Sequence, residues 1–310
     1  MYVVTGATGH IGNNVVRYLV GQNENVKVLV RQVDHSLKNL PIEIHSQALF
    51  DEHFLDQHIL ENDIVIHSAG FIDLLNRDKM NTFRTNYQLT KRIVDLCYRK
   101  KIRLIYMSSV DVIPKHKKGT ITEPIDLTVR TKHTYYYRTS KALATKYVLS
   151  MMSKGLNAMI LYPSAVIGPH DYKPSAAGKE ILHVAKSRVL FSLKGGYNFI
   201  DVRDVAKSIY VASKLDLVDH IILSGYQKRI RDLYESIEKA TKSPKFIIPL
   251  PIWLVRLAVI FTPNYTNVMV NSIRENYNYS RDKMKKYLLN DLIPFDQTIK
   301  DTLNFLTKKS

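Results

Sequence analysis

The chain has 310 residues, 45% of them hydrophobic, enough to bury a full core and to form one large domain or two small ones. It is therefore neither a disulfide-stapled module nor, with only 24% charged residues, a disordered tail. Forty-five Lys and Arg against 28 Asp and Glu leave a net charge of +17, which favours nucleic acid, an anionic membrane or a phosphate-bearing ligand without specifying a fold. The single cysteine, Cys97, excludes an intrachain disulfide and a cysteine metal cluster and makes the cytoplasm the default compartment.

Met1-Tyr2-Val3-Val4-Thr5 reads as a strand and lacks the basic start and apolar run of a secretory signal. Further β-branched runs at residues 26–30, 42–45, 64–67, 103–107, 158–162 and 220–223 alternate with helical patterns at 12–20, 53–60, 85–100 and 142–150. Continuous apolar strands separated by helices are parallel strands covered on both faces. The fold class expected is α/β, a Rossmann-type doubly wound parallel sheet. After Pro163 the alternation loosens. Residues 1–167 and 197–225 are assigned to the dinucleotide-binding domain, and 168–196 and 226–310 to a smaller, discontinuous substrate lobe. The apolar stretch 246–261 holds Pro249, Pro251 and Arg256 and falls short of the roughly 20 residues a bilayer span needs, so no transmembrane segment is expected. Its second part, from Ile252, is apolar nearly all round and reads as a buried helix of the substrate lobe, with a membrane-facing or dimer-facing helix as the other reading.

The segment Thr5-Gly6-Ala7-Thr8-Gly9-His10-Ile11-Gly12 follows the first strand and opens the first helix, the context a dinucleotide fingerprint requires. Gly6 permits the tight turn, Gly9 lets the backbone approach a pyrophosphate, and Gly12 lets helix and strand pack closely. The free N–H groups and positive end of the helix then face the phosphates. The second strand ends Val28-Leu29-Val30-Arg31, with no carboxylate to hold the adenosine ribose hydroxyls. An Arg there suits a 2′-phosphate, so NADP is the expected cofactor, with NAD as the alternative through Asp34 just downstream.

Tyr137 and Lys141 stand four positions apart, on one face of a helix. An adjacent ammonium favours the phenolate and is expected to lower the Tyr137 pKa, so that the phenol serves as general acid in reduction and base in oxidation. Upstream, the strand at 103–107 delivers Ser108-Ser109 to its carboxyl end, where a hydroxyl faces the ligand crevice of a parallel sheet.

These residues carry a resemblance. Thr5 to Gly12, Ile64-Val65-Ile66-His67-Ser68-Ala69-Gly70, Thr85-Asn86-Tyr87, Leu104 to Val110, Tyr137 to Lys141, Tyr162-Pro163-Ser164 and Asp201-Val202-Arg203-Asp204-Val205-Ala206 occur in the order of the extended short-chain dehydrogenase/reductase family, the NAD-dependent epimerase/dehydratase group. Within it the chain is most similar to the dihydroflavonol-4-reductase-like and 3β-hydroxysteroid-dehydrogenase-like branch. The resemblance implies a triad of Ser109, Tyr137 and Lys141: Tyr137 the proton donor, Lys141 on the nicotinamide ribose, Ser109 positioning the carbonyl, with Ser108 as its substitute. Asn86 matches the helix Asn that supports a proton relay. Cofactor contacts carry over to Gly6, Thr8, Gly9, His10, Ile11 and Gly12, to Arg31, to Ala69 and Gly70 on the adenosine side, and to Pro163, Tyr137 and Lys141 on the nicotinamide side. One position departs from the pattern: Ala48 stands where an adenine-binding Asp is usual, which leaves the Leu49 backbone to contact adenine. A homodimer through the helices beginning near Asn86 and Tyr137 is also implied.

The eleven histidines include no His-Glu-x-x-His and no compact cluster, so no metal is expected. The basic run Lys115-His116-Lys117-Lys118, with Arg130, Lys132, His133 and Arg138, falls between the Ser and Tyr motifs and reads as a solvated loop or as a steering surface for an anionic ligand. The expected function is hydride transfer between NADP and a carbonyl or secondary alcohol of a small organic substrate, with no nucleic-acid partner. A nucleotide-sugar epimerase or dehydratase with retained NAD is the alternative within the family. A catalytically silent dinucleotide-sensing or nucleic-acid-binding member of the same fold is the alternative of a different functional class. The joint presence of Ser109, Tyr137 and Lys141 favours an enzyme.

Overall fold

A computed structural model describes residues 1–114, 119–123, 127, 135–261, 270–271, 273–274 and 277–308. Strand β1 (Tyr2–Thr5) runs into α1 (His10–Gly21), followed by β2 (Val26–Val30), β3 (Glu43–Ser46), α2 (Glu52–His58) and β4 (Ile64–His67). Then α3 (Lys79–Phe83), a π-helical turn at Arg84–Gln88 and α4 (Leu89–Arg99) follow one another without a break and lead to β5 (Arg103–Met107). After β6 (Thr120–Ile121) come α5 (Tyr136–Met152), β7 (Ala158–Pro163), β8 (Ala165–Ile167), α6 (Ala176–Lys186), β9 (Val189–Ser192) and β10 (Gly196–Asp201). The remaining elements are α7 (Val202–Lys214), β11 (Asp219–Leu223), β12 (Tyr226–Arg229), α8 (Ile230–Thr241), β13 (Phe246–Pro249), α9 (Ile252–Phe261) and β14 (Asn278–Tyr279). Two helices, Asp282–Tyr287 and Phe295–Thr307, close the chain.

Seven strands form one sheet in the order β11-β7-β5-β4-β1-β2-β3, and every pair in it is parallel. Side chains alternate between two cores, as the period of a strand requires. Val3, Leu29, Val65 and Leu104 pack with α2, α4 and α5, while Val4, Val28, Ile66 and Ile105 pack with α1 and α7. The strand order reverses at β1, whose neighbours are β2 and β4. Ligands in such sheets bind at the carboxyl ends of the strands at that switch point.

Strands β8 and β10 do not join this sheet. They pair with β12 in a separate three-stranded sheet, over a third core that includes Ile167, Phe199, Leu233, Ile237 and Leu303. Strand β8 follows β7 after the single residue Ser164 and pairs in the smaller sheet with β10, while Ile200 of β10 still packs into the large-sheet core. Met284, Leu288 and Leu289, from the part assigned to the substrate lobe, pack instead into the large-sheet core.

The expectation of a buried helix from Ile252 is not met over its described side chains: the segment is helical, but Trp253 and Leu257 in its first turns are 63% and 51% exposed. Apolar composition marks a face that gains from cover. It does not show that the same chain supplies the cover.

The Asp201-Val202-Arg203-Asp204 motif ties the two halves together. Asp201 caps α7 by accepting from the Arg203 amide (2.8 Å) and also accepts from Thr298 Oγ1 (2.7 Å). Arg203 pairs with both Asp201 (2.7 Å) and Asp301 (2.8 Å), and Asp204 accepts from the Ile293 amide (3.0 Å).

Candidate active site

The three glycines after β1 have different surroundings. A Cβ on Gly6, whose φ is +78°, would lie 2.5 Å from Ala69 N, and one on Gly12 would lie 2.2 Å from Gly6 O and 2.7 Å from Ser68 Oγ. Both positions are closed by backbone of β1 and the loop after β4. Gly9 is exposed, and a Cβ there would meet only Gly6 O, at 3.2 Å. Gly9 is also the N-cap of α1 and provides no side-chain cap, and the first turn carries no acid, so unpaired amides and the positive helix end face outward. That is the environment a pyrophosphate requires.

The other loop residues divide between backbone and side-chain tasks. Thr8 is half-buried in the loop, and Ile11 packs against the core behind α1. The His10 ring turns away from the helix end, its Nε2 within 3.1 Å of Pro169 O, and burial lowers its pKa, so only its backbone faces the loop. Leu49 is buried in the core, while Gly70 is exposed beside buried Ala69.

Arg31 is exposed at the carboxyl end of β2, and the structure gives its guanidinium no hydrogen bond or ion pair among the described residues. Asp34, the alternative ribose partner, is already engaged. It caps the short turn His35–Leu37 by accepting from the Ser36 amide (2.9 Å) and pairs with Lys173 (2.7 Å).

Strand β5 and helix α5 bring the triad together. Ser109 caps the turn Val110–Val112, accepting from the Asp111 amide (3.1 Å), and its hydroxyl lies near enough to Tyr137 to favour the phenolate. Ser108 points the other way. Thr145 Oγ1 donates to Lys141 O (2.7 Å), so Ser108 Oγ donates to Thr145 Oγ1 (2.7 Å), and the geometry selects Ser109 over Ser108 as the partner of Tyr137. Lys141 is buried, donates from Nζ to Met107 O (2.5 Å), lies 4.7 Å from the Tyr106 ring centre, and is pushed down to about 7 by desolvation.

The expected lowering of the Tyr137 pKa is reversed here. Burial raises it, Asp111 raises it further, and the nearby Ser109 hydroxyl opposes both only in part. The cation meant to stabilise the phenolate is itself only about half charged at neutral pH, because burial lowers Lys141 to about 7, so the chain alone keeps Tyr137 a neutral donor.

Asn86 lies in the π turn and clamps two elements. Its Nδ2 donates to Phe71 O (3.0 Å) and Ser140 Oγ (3.0 Å), and its Oδ1 accepts from Phe71 N (2.8 Å). The side chain thus ties the loop after β4 to α5.

Beneath it lies a buried series that sequence reasoning missed. Thr90 Oγ1 donates to Asn86 O (2.8 Å), so His67 Nε2 donates to Thr90 Oγ1 (2.9 Å) and Nδ1 accepts from Thr5 Oγ1 (2.7 Å). Burial, aided by Lys141, holds His67 down at about 3, which keeps it neutral and in this tautomer. A His closing the central strand β4 was the available signal, visible only once β1 and α4 were known to flank it. Pro163 ends β7 in register with Leu223. Of the basic cluster, Lys115–Lys118, Arg130, Lys132 and His133 lie outside the described residues, and Arg138 reaches Asp111 (4.0 Å).

The sheet, the glycine cradle and the Ser-Tyr-Lys grouping define a dinucleotide-binding α/β protein of the short-chain dehydrogenase type. The model of the NAD dependent epimerase/dehydratase family matches residues 2–221, and the chain belongs to that family. It is 30% identical over 261 residues to a Synechocystis protein named "Putative dihydroflavonol 4-reductase", covering 82% of this chain and 76% of that one. It is 27% identical over 253 residues to sterol demethylase protein B of Methylococcus capsulatus, covering 80% and 77%. In fold it resembles UDP-glucose 4-epimerase from Bifidobacterium longum in complex with NAD+ and UDP, with a TM-score of 0.78 at 18% identity over 99% of this chain and 98% of that one.

Proposed function

We propose that the chain is an NADP-dependent reductase or dehydrogenase acting on the carbonyl or secondary alcohol of a small organic substrate, with Tyr137 as proton donor. The observation that carries this reading is the convergence of Ser109, after the end of β5, with Tyr137 and a buried Lys141 on one helix, Lys141 Nζ donating to Met107 O. When bound, the dinucleotide supplies or accepts a hydride at its nicotinamide ring. The residues present fit it. Gly9 and the uncapped start of α1 would hold the pyrophosphate, Ala69 and Gly70 would flank the adenosine, and Arg31 would hold a 2′-phosphate. Pro163 and Lys141 would face the nicotinamide half.

Ser109 holds the substrate oxygen, and Tyr137 donates its proton to that oxygen in reduction and takes it back in oxidation. Lys141, buried without an acid partner, regains its proton when anionic charge binds beside it, and the restored ammonium then favours the Tyr137 phenolate. The preference for NADP rests on unpaired Arg31 and on Asp34 being held by Ser36 and Lys173. Replacing Tyr137 by Phe is expected to lower turnover by roughly 10²–10⁴-fold while leaving dinucleotide binding intact. Undiminished turnover would overturn the assignment.

A further inference from the structure

Strands β9 and β13 pair in parallel, with Val189 beside Phe246 and Phe191 beside Ile248. The period of a strand sends alternate side chains to opposite faces. On the inner face Leu190 is buried and Ile247 packs against the third core. The outer face carries Val189, Phe191, Phe246 and Ile248, all exposed, Phe191 by 58% and Phe246 by 72%. Two residues after β13 the chain enters α9, whose first turns expose Trp253, Leu254 and Leu257. Single exposed apolar residues need no explanation, but a two-stranded face continued by a helix marks an interaction surface.

Charge identifies its occupant. The segments that build the patch, residues 186–194 and 245–257, hold Lys186, Arg188 and Lys194 in the first and Lys245 and Arg256 in the second, with no Asp or Glu in either, while Lys239 and Lys242 just upstream share their surface with Glu235 and Glu238. Lys245 is committed to Ala185 O (2.9 Å) and Ser187 O (2.7 Å), whereas Arg188, Lys194 and Lys242 are exposed at the margins. Aromatic and aliphatic side chains bordered by cations match a bilayer interface, where rings settle at headgroup level and cations meet anionic lipid. Among the described residues no helix is long and apolar enough to cross a membrane, so the surface rests on the bilayer. We propose that the outer face of β9 and β13, with the start of α9, docks the enzyme peripherally on anionic phospholipid.

Trp253 is the only tryptophan in the chain, so its fluorescence reports the surface directly. The full-length protein is mixed with phosphatidylcholine vesicles, with and without phosphatidylserine, and followed by flotation and Trp emission. Flotation with the phosphatidylserine vesicles is expected, with a blue shift of Trp253, and both are weakened by added salt. Replacing Phe191 and Phe246 together by Ser should weaken partitioning by at least about tenfold. Arg188→Glu with Lys194→Glu should weaken it by a similar factor for anionic vesicles. All four side chains are exposed, and unchanged circular dichroism and NADPH binding would show that the variants remain folded. Absence of flotation and of any blue shift on phosphatidylserine vesicles would overturn the proposal. So would a concentration-dependent dimer in sedimentation equilibrium that blue-shifts Trp253 without lipid, since a second copy would then cover the face.

Discussion

Lys141 donates from Nζ to Met107 O and has no carboxylate partner in that bond, and desolvation moves its pKa from the usual lysine range to about 7. Its unfolded value is near 10.4, so between about pH 7 and 10 the unfolded chain binds more protons and stability rises with pH. Binding of an anionic dinucleotide should draw a proton onto Lys141 near pH 7.5. Calorimetric titration in buffers of differing ionisation enthalpy is expected to show net uptake in the wild type and none in Lys141→Met. The two serines separate in the same way. Ser109→Ala should lower turnover by roughly 10–100-fold through loss of one hydrogen bond to the reacting oxygen. Ser108→Ala, whose hydroxyl serves Thr145, should leave turnover unchanged. The sequence shows two adjacent hydroxyls after a strand. Which one faces Tyr137 depends on Thr145, a partner 37 residues away.

At the scale of elements, the clasp at the start of α7 gives a pH-dependent signature. Burial raises the Asp204 carboxyl to about 6, against an unfolded value near 3.9. The native state therefore holds the extra proton between about pH 4 and 6, and this contribution to stability is present below pH 4 and lost as pH rises through 6. His67 acts in the opposite sense, since its native pKa of about 3 makes acid destabilising below about pH 6.5. Comparison with a variant isolates the first effect. Asp204→Asn keeps an acceptor for the Ile293 amide and should flatten the fall in urea-unfolding free energy between pH 4 and 6 by the amount Asp204 contributes. The large-sheet strands were legible because parallel strands covered on both faces read as unbroken apolar runs. The small sheet was not. Strand β8 is as apolar as the large-sheet strands but only three residues long, β10 is interrupted by Asn198, and the packing of Ile167 and Phe199 with α6 and α8 sets them apart from the large sheet. The π turn at Asn86 was equally hidden, because the hydrophobic period runs through it without a break.

For the whole molecule, the net charge of +17 divides into a local part and a distributed part. Arg31 is the local part for the dinucleotide. Arg31→Ala is expected to weaken NADPH binding by about tenfold or more and NADH binding little, since one charged hydrogen-bonding partner of the 2′-phosphate is lost. The distributed part acts through steering, so the Michaelis constant for NADPH should rise with potassium chloride concentration in initial-rate measurements. The sheet, the glycine cradle and the Tyr-Lys pair were legible from spacing, because each is set by local backbone geometry. The exposure of α9, the lowered pKa of Lys141 and the clamp at Asn86 were not, because each depends on what distant segments place around the residue. In the proposed function, a glycine cradle without a ribose carboxylate serves an NADP-dependent oxidoreductase in which Tyr137 moves the proton. A paired NADPH and NADH binding titration, followed by a carbonyl panel with the tighter cofactor, tests this. Tighter NADPH binding is expected, with carbonyl-dependent NADPH oxidation that Tyr137→Phe lowers by roughly 10²–10⁴-fold. Tighter NADH binding with no carbonyl-dependent oxidation would contradict it.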